Sequence, residues 1–334
     1  MDATLHDRRT RLRRRKCRRG WMRCPPDWTV ADARSLERRR GRGYFYAMLV
    51  RVLAVLAVWV VLLRVAAAAD APAFQPAATP NLVKQANSPI STILQLRLVD
   101  SYIPSFKGAD GQGNALTMSM TMPLPENRLL PRPQLSLLSL PTAVTTPDGT
   151  TGLGDLRFVD VVVLKAGPNG LWGVGPTFVF PTASEPTTGQ AKWQLGPAAA
   201  VAFFPGRWLF GALAQNPISF AGDRARSDTN GLYLQPFVTY QFGGGWFVRS
   251  QPQMFFNWKT GRQVLPLDVG AGRVFDLGHL HVNLFVEPFW NLSSDGPTPE
   301  YGVTFGAALL FPDFWSRVAP GLSADAANRP RPEE

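Results

Sequence analysis

The chain has three histidines and two cysteines, and their placement limits the chemistry it can do. His279-x-His281 puts two imidazoles on one face of a strand, which is the beginning of a metal site. A zinc-type ion takes three or four protein ligands, and no third ligand is evident. The pair therefore reads as polar residues at a strand end. Cys17 and Cys24 both lie near the N-terminus, so the remainder has neither a disulfide nor a thiolate metal site. Ser250 and Ser293 are candidate nucleophiles without a histidine base assigned to them. Gly-x-Ser-x-Gly, the P-loop and His-Glu-x-x-His are all absent. The expectation is a protein that is not an enzyme, with no catalytic residues, no metal and no cofactor.

A more coherent pattern comes from polar residues spaced two apart among apolar ones. Tyr233 and Gln235 alternate with Leu232, Leu234 and Val238. Arg249, Gln251, Gln253 and Asn257 alternate with Trp246, Val248, Met254 and Phe256. Asn283 and Glu287 alternate with Val282, Leu284 and Val286. A period of two gives a strand one apolar and one polar face. If the apolar faces look outward to lipid, these eight residues line a lumen. Phe237, Phe255, Phe285 and Phe289 share the inward faces, where they either pack or stack on a solute. Segment 263–275 lies between the strands of Arg249 and Glu287, so alternation alone specifies no ion pair between them. Arg157 and Asp160 fall on opposite faces of one segment, as do Asp268 and Arg273, unless a bulge shifts the register.

Twelve segments carry the alternation: 91–102, 114–123, 133–141, 154–165, 171–180, 191–204, 207–218, 231–242, 246–258, 263–275, 279–292 and 301–311. The one around Gln134 is the weakest. Most are long enough to cross a bilayer at a tilt, which needs about 9–11 residues. Tight turns such as Pro205-Gly206 and Gly243 to Gly245 alternate with the longer loops 181–190, 219–230 and 293–300. That is the habit of barrels with short periplasmic turns and long outer loops, and Lys259 to Arg262 is the exception in order. Trp172, Trp193, Trp208, Trp246, Trp258 and Trp290 fall at or near strand ends, as in an aromatic girdle. Thr304-x-Gly306-x-x-Leu309-x-Phe311 resembles the C-terminal insertion signal of outer-membrane barrels. The expected fold is all-β: an antiparallel transmembrane β-barrel of twelve strands, preceded by a basic leader and a signal peptide.

Glycine and proline number 30 each, and 45% of the 334 residues are hydrophobic, which excludes a helical bundle and a disordered chain. The net charge of +11 is a property of the leader. Residues 1–69 hold 17 basic and 5 acidic groups; the rest of the chain holds 18 and 19. No nucleic-acid partner is expected. Residues 1–47 read as a basic disordered leader, or as sequence ahead of a true start at Met48. Residues 48–69 have the charged start, apolar run and Ala67-Ala68-Ala69 end of a signal peptide. Residues 70–90 read as a flexible periplasmic lead-in, 91–311 as the barrel and 312–334 as a tail.

Several ordered motifs carry a family resemblance. They are Gly152-Leu153-Gly154-Asp155, Trp172-Gly173-Val174-Gly175-Pro176-Thr177, Ser219-Phe220-Ala221-Gly222-Asp223, Leu234-Gln235-Pro236-Phe237 and Gly270-x-Gly272-x-Val274-Phe275. Together they resemble the transporter-like outer-membrane proteins of the meta-pathway of phenol degradation family over about residues 90–312. The resemblance implies an outer-membrane channel or transporter for uptake of small compounds, aromatic or hydrophobic ones among them. It supplies no catalytic residues. The alternatives are a closed structural or sensory barrel, and a barrel enzyme with a site at its rim. Expected partners are outer-membrane lipids, the barrel-insertion machinery and an unidentified small solute, with the chain a monomer.

Overall fold

A computed structural model of the chain describes residues 80–126, 131–278, 280–294 and 297–312. The leader, the signal peptide, residues 70–79 and the tail from 313 lie outside the described residues, as does His279.

The described chain is one short helix and sixteen strand segments in a single antiparallel sheet. The helix is α1 (Pro80–Asn87). The strands are β1 (Leu94–Lys107), β2 (Gly113–Leu124), β3 (Gln134–Thr145), β4 (Thr151–Gly152), β5 (Leu156–Gly167), β6 (Gly170–Phe180), β7 (Lys192–Phe203) and β8 (Trp208–Gln215). They continue as β9 (Ile218–Gly222), β10 (Gly231–Gly243), β11 (Trp246–Ser250), β12 (Met254–Asn257), β13 (Gln263–Asp268), β14 (Gly270–Asp276), β15 (His281–Ser294) and β16 (Thr298–Phe311). Four pairs of segments are single staves with a break: β4–β5, β8–β9, β11–β12 and β13–β14. Pro217 and Pro252 stand in two of the breaks, where a missing N–H interrupts the ladder. This leaves twelve staves, one for each alternating segment. β16 pairs with both β15 and β1, so the sheet closes on itself.

The ends of several strands differ from the sequence expectation. β1 runs on to Lys107 and β3 to Thr145, and β15 and β16 extend until only 295–297 separate them. Cross-strand pairing carries these strands past the point where their alternation fades, because a ladder rewards every residue its neighbour can reach.

Leu94 pairs with Phe311, so the chain enters and the last strand ends at one rim. The same rim has the two-residue connection Pro168-Asn169, the turn 204–207 and the connection Gly244-Gly245. The opposite rim carries the longer loops 181–191 and 223–230. We call them the short-turn and long-loop rims.

The register fixes the two faces. Arg97 pairs with Ser119, Ser119 with Ser139, and Ser139 with Arg157, which makes one inner row. Leu96, Met120, Leu138 and Phe158 make the outer row beside it. Met118 is 56% exposed, and Val174, Leu195, Phe210, Val248 and Phe305 are exposed with it. Around the short-turn rim Trp172, Phe203, Trp208, Phe242 and Trp246 are exposed. Around the long-loop rim Trp193, Trp258, Trp290 and Tyr301 are exposed. An apolar belt held between two aromatic girdles is the exterior of a β-barrel in an outer membrane.

No bulge reconciles the two charged pairs. Asp268 is buried on the inner side, and Arg273 pairs with Trp246 on the outer side with its guanidinium 5.3 Å from the indole centroid. Arg157 faces inward and Asp160 outward, where Ser136 donates to its carboxylate at 2.7 Å.

Candidate functional site

The lumen is filled at its short-turn half by the protein's own N-terminal segment. Residues 70–90 were expected to be a flexible lead-in. From Pro80 onward that expectation fails: α1 and the stretch that follows it are buried inside the barrel, with Ala86, Asn87 and Ser91 fully inaccessible. Pro80 suits the first helical turn, where its missing N–H goes unmissed. Ser88-Pro89 ends the helix, since the residue before proline is pushed out of the helical region. Eight residues are too few for a stable helix in water. The barrel wall supplies what the helix lacks.

The apolar side of the segment packs on two parts of the wall. Leu82, Val83 and Ala86 meet Phe247, Val274, Phe285, Ala308 and Leu310. Ile90 meets a cluster that includes Leu135, Val161, Leu213 and Phe237.

The polar side is held through backbone carbonyls. A helix C-terminus leaves its last carbonyls unpaired and carries partial negative charge. Gln95 donates to the carbonyl of Gln85 at 2.6 Å. Arg97 and Asn283 both donate to that of Ala86, each at 3.1 Å. Gln251 donates to that of Asn87. Arg249 reaches the Asn87 side-chain oxygen at 3.2 Å. At the rim Lys84 donates to the carbonyl of Phe204 at 2.9 Å. Arg97 and Arg249 therefore sit where the helix end is negative.

Arg249 also forms an ion pair with Glu287, Nη2 to Oε2 at 2.5 Å, with Nε at 3.1 Å from the same oxygen. They reach each other across β14 because that strand places Gly270 opposite Arg249. A Cβ at Gly270 would meet the Glu287 Cβ at 2.9 Å. The Arg249 guanidinium also lies 3.5 Å from the centroid of the Phe285 ring. Next along β14, a Cβ at Gly272 would meet the Phe247 ring at 2.5 Å. The Gly270-x-Gly272 spacing thus leaves room for inward side chains of both neighbouring strands.

The eight residues of the alternation fall into two groups, with Gln253 and Asn257 outside both. Arg249, Gln251, Asn283 and Glu287 are buried inside, at or beside the plug. Tyr233 and Gln235 are half-buried on the inner face of β10, nearer the long-loop rim. Gln253 is exposed in the break after β11 and joins neither group. Asn257 ends β12 and turns its carbonyl oxygen to the amides of Lys259 and Thr260 at 3.0 and 3.1 Å, so it caps a loop. Missing from the sequence reading were Gln95, Arg97 and the segment they hold.

The candidate nucleophiles stay without a base among the described residues. His281 starts β15 at the short-turn rim, its Nδ1 3.3 Å from Asp276, while Ser293 is at the other end of the same strand. Ser250 pairs with Val238 on the outer face. The charged loop after β9 is tied down: Asp228 pairs with Lys192 at 2.9 Å and with Lys259 at 3.6 Å.

No family model matches the chain, and no curated protein matches it. Among solved structures it is similar to an outer-membrane channel from Pseudomonas putida F1, with 13% identity over 72% of this chain and 99% of that one, at a TM-score of 0.48. It is similar to the NanC porin, with 11% identity over 65% and 98% of the two chains, at 0.40. It is also similar to the outer membrane phospholipase A of Escherichia coli, with 11% identity over 70% and 98%, at 0.37. The chain is a closed twelve-strand outer-membrane barrel with α1 inside it.

Proposed function

We propose that the protein is an outer-membrane channel for small solutes whose lumen is gated by α1. The observation that carries this is how the plug is held. Its helix end is fixed by side-chain donors on the wall, from Gln95, Arg97, Gln251 and Asn283. Water can replace the helix carbonyls at every one of those donors, so release of the plug leaves a wall that is already polar. A barrel closed for good by its own side chains needs no such detachable partner.

The short-turn rim faces the periplasm and the long loops face outside, following the turn lengths. The chain works as a monomer among outer-membrane lipids, delivered by the insertion machinery, and carries no catalytic function. Uptake of aromatic or hydrophobic compounds, which the likeness to the phenol meta-pathway family implies, belongs to the same proposal. It is supported by the ordered motifs that carry that likeness, Gly270-x-Gly272 among them.

Liposome swelling tests the reading. Proteoliposomes of the full chain should admit a small neutral sugar slowly, and a variant lacking residues 80–91 should admit it faster. A correctly folded variant without the segment that stays impermeable would favour the closed structural barrel.

A further inference from the structure

At the long-loop end of the lumen the guanidinium of Arg157 lies 4.0 Å from the centre of the Tyr233 ring. Arg157 is on β5 and Tyr233 on β10, with β6, β7 and the β8–β9 stave between them around the wall. The contact therefore crosses the lumen. The Tyr233 ring is 4.8 Å from that of Phe255 on β12, centre to centre. Three side chains thus bring one cation and two aromatic rings together at the outer mouth.

Asp155 and Asp160, the two carboxylates on the stave of Arg157, are engaged elsewhere. Asp160 faces the outside and accepts from Ser136. Asp155 accepts from the backbone amides of Ala183 and Gln190, at 3.2 and 2.7 Å, and so anchors the 181–191 loop. Among the described residues no ion pair or hydrogen bond engages the Arg157 guanidinium. An arginine stacked on an aromatic face, with no carboxylate of the described residues in ion-pair reach, keeps its guanidinium edge open to an anion.

We propose that Arg157, Tyr233 and Phe255 form an entry subsite for solutes that carry a carboxylate on a flat apolar body. The idea rests on the channel reading and deepens it. The carboxylate takes the two parallel N–H groups at the edge of the guanidinium, which stays stacked on Tyr233. The flat body lies against Tyr233 and Phe255 in an offset or edge-on arrangement. A neutral compound of the same shape gains the second contact without the first.

The test is calorimetric titration of the full-length barrel in detergent with benzoate, and with benzyl alcohol as the neutral control. Folding of each variant is checked by its heat-dependent migration on a gel. Benzoate should bind saturably to the parent, and Arg157→Gln should weaken it about tenfold or more, the size of a charge-assisted pair. Tyr233→Leu should weaken benzoate and benzyl alcohol alike. Unchanged benzoate affinity in a folded Arg157→Gln barrel, or no saturable binding by the parent, overturns the proposal. The readout involves no flux. Arg157-dependent binding by a barrel that never conducts would sink the channel reading and keep the subsite, and a conducting barrel without it would do the reverse.

Discussion

Arg249 and Glu287 are bonded to each other inside the barrel although an entire strand runs between theirs. Only 5% and 6% of their surfaces are exposed. The intervening strand offers a glycine at that level, and Asn87 of the plug completes the arginine's contacts. Wall and plug are thus joined in one polar cluster at mid-lumen.

Removing one member of that pair leaves an uncompensated buried charge, which costs about 3–5 kcal/mol. Arg249→Gln should therefore lower the unfolding temperature of the purified barrel clearly. Arg249→Gln with Glu287→Gln should recover most of the loss, since neither charge is then stranded. Thermal unfolding followed by circular dichroism reads both. Equal losses in the single and double variants would show that a stranded Glu287 charge is not the source of the loss.

The face assignment has its own test. Met118 points to lipid and Thr117, its neighbour, to the lumen. An arginine near the bilayer midplane on the lipid face costs about 2–4 kcal/mol. Met118→Arg should reduce the yield of folded barrel in vesicles, and Thr117→Arg should assemble like the parent. The opposite ranking would invert the faces.

The long-loop rim should respond to acid through Asp228. The Lys192 ammonium, by hydrogen bond and charge, and then Lys259 hold its carboxyl below the ordinary aspartate value of 3.8. A depressed carboxylate lends its stabilisation fully above that ordinary value and loses it as pH falls through the lowered one. The 223–230 loop should thus resist proteolysis equally at pH 7 and pH 5. It should loosen only below the ordinary carboxylate range, and Asp228→Asn should be loose already at pH 7 with no further change on acidification. A protection that fell away between pH 7 and pH 5 would point to another group.

Twelve alternating segments announced twelve staves because a lipid-facing strand must be apolar on every second residue, and Trp172, Met118 and Phe305 each obey that rule. Arg249 and Glu287 were visible as inward residues by the same parity. Their pairing was not, since it depends on the size of the residue on the strand between them. The plug was hidden for a different reason. Leu82, Val83, Ala86 and Ile90 make a short apolar stripe in a segment too brief to hold a helix alone, and its partners are scattered over strands from β3 to β16. Asn257 shows the opposite error: parity placed it with the lumen residues, but the strand ends there and its side chain turns to the loop.

The gate is tested most directly by single-channel recording in planar bilayers, comparing the full chain with Asn283→Ala and with a variant lacking residues 80–91. With α1 as the gate, the parent should stay mostly closed with brief openings, Asn283→Ala should show a raised open fraction, and conductance should be steady once the segment is gone. A folded barrel that carries the same current with and without residues 80–91 would contradict this gating.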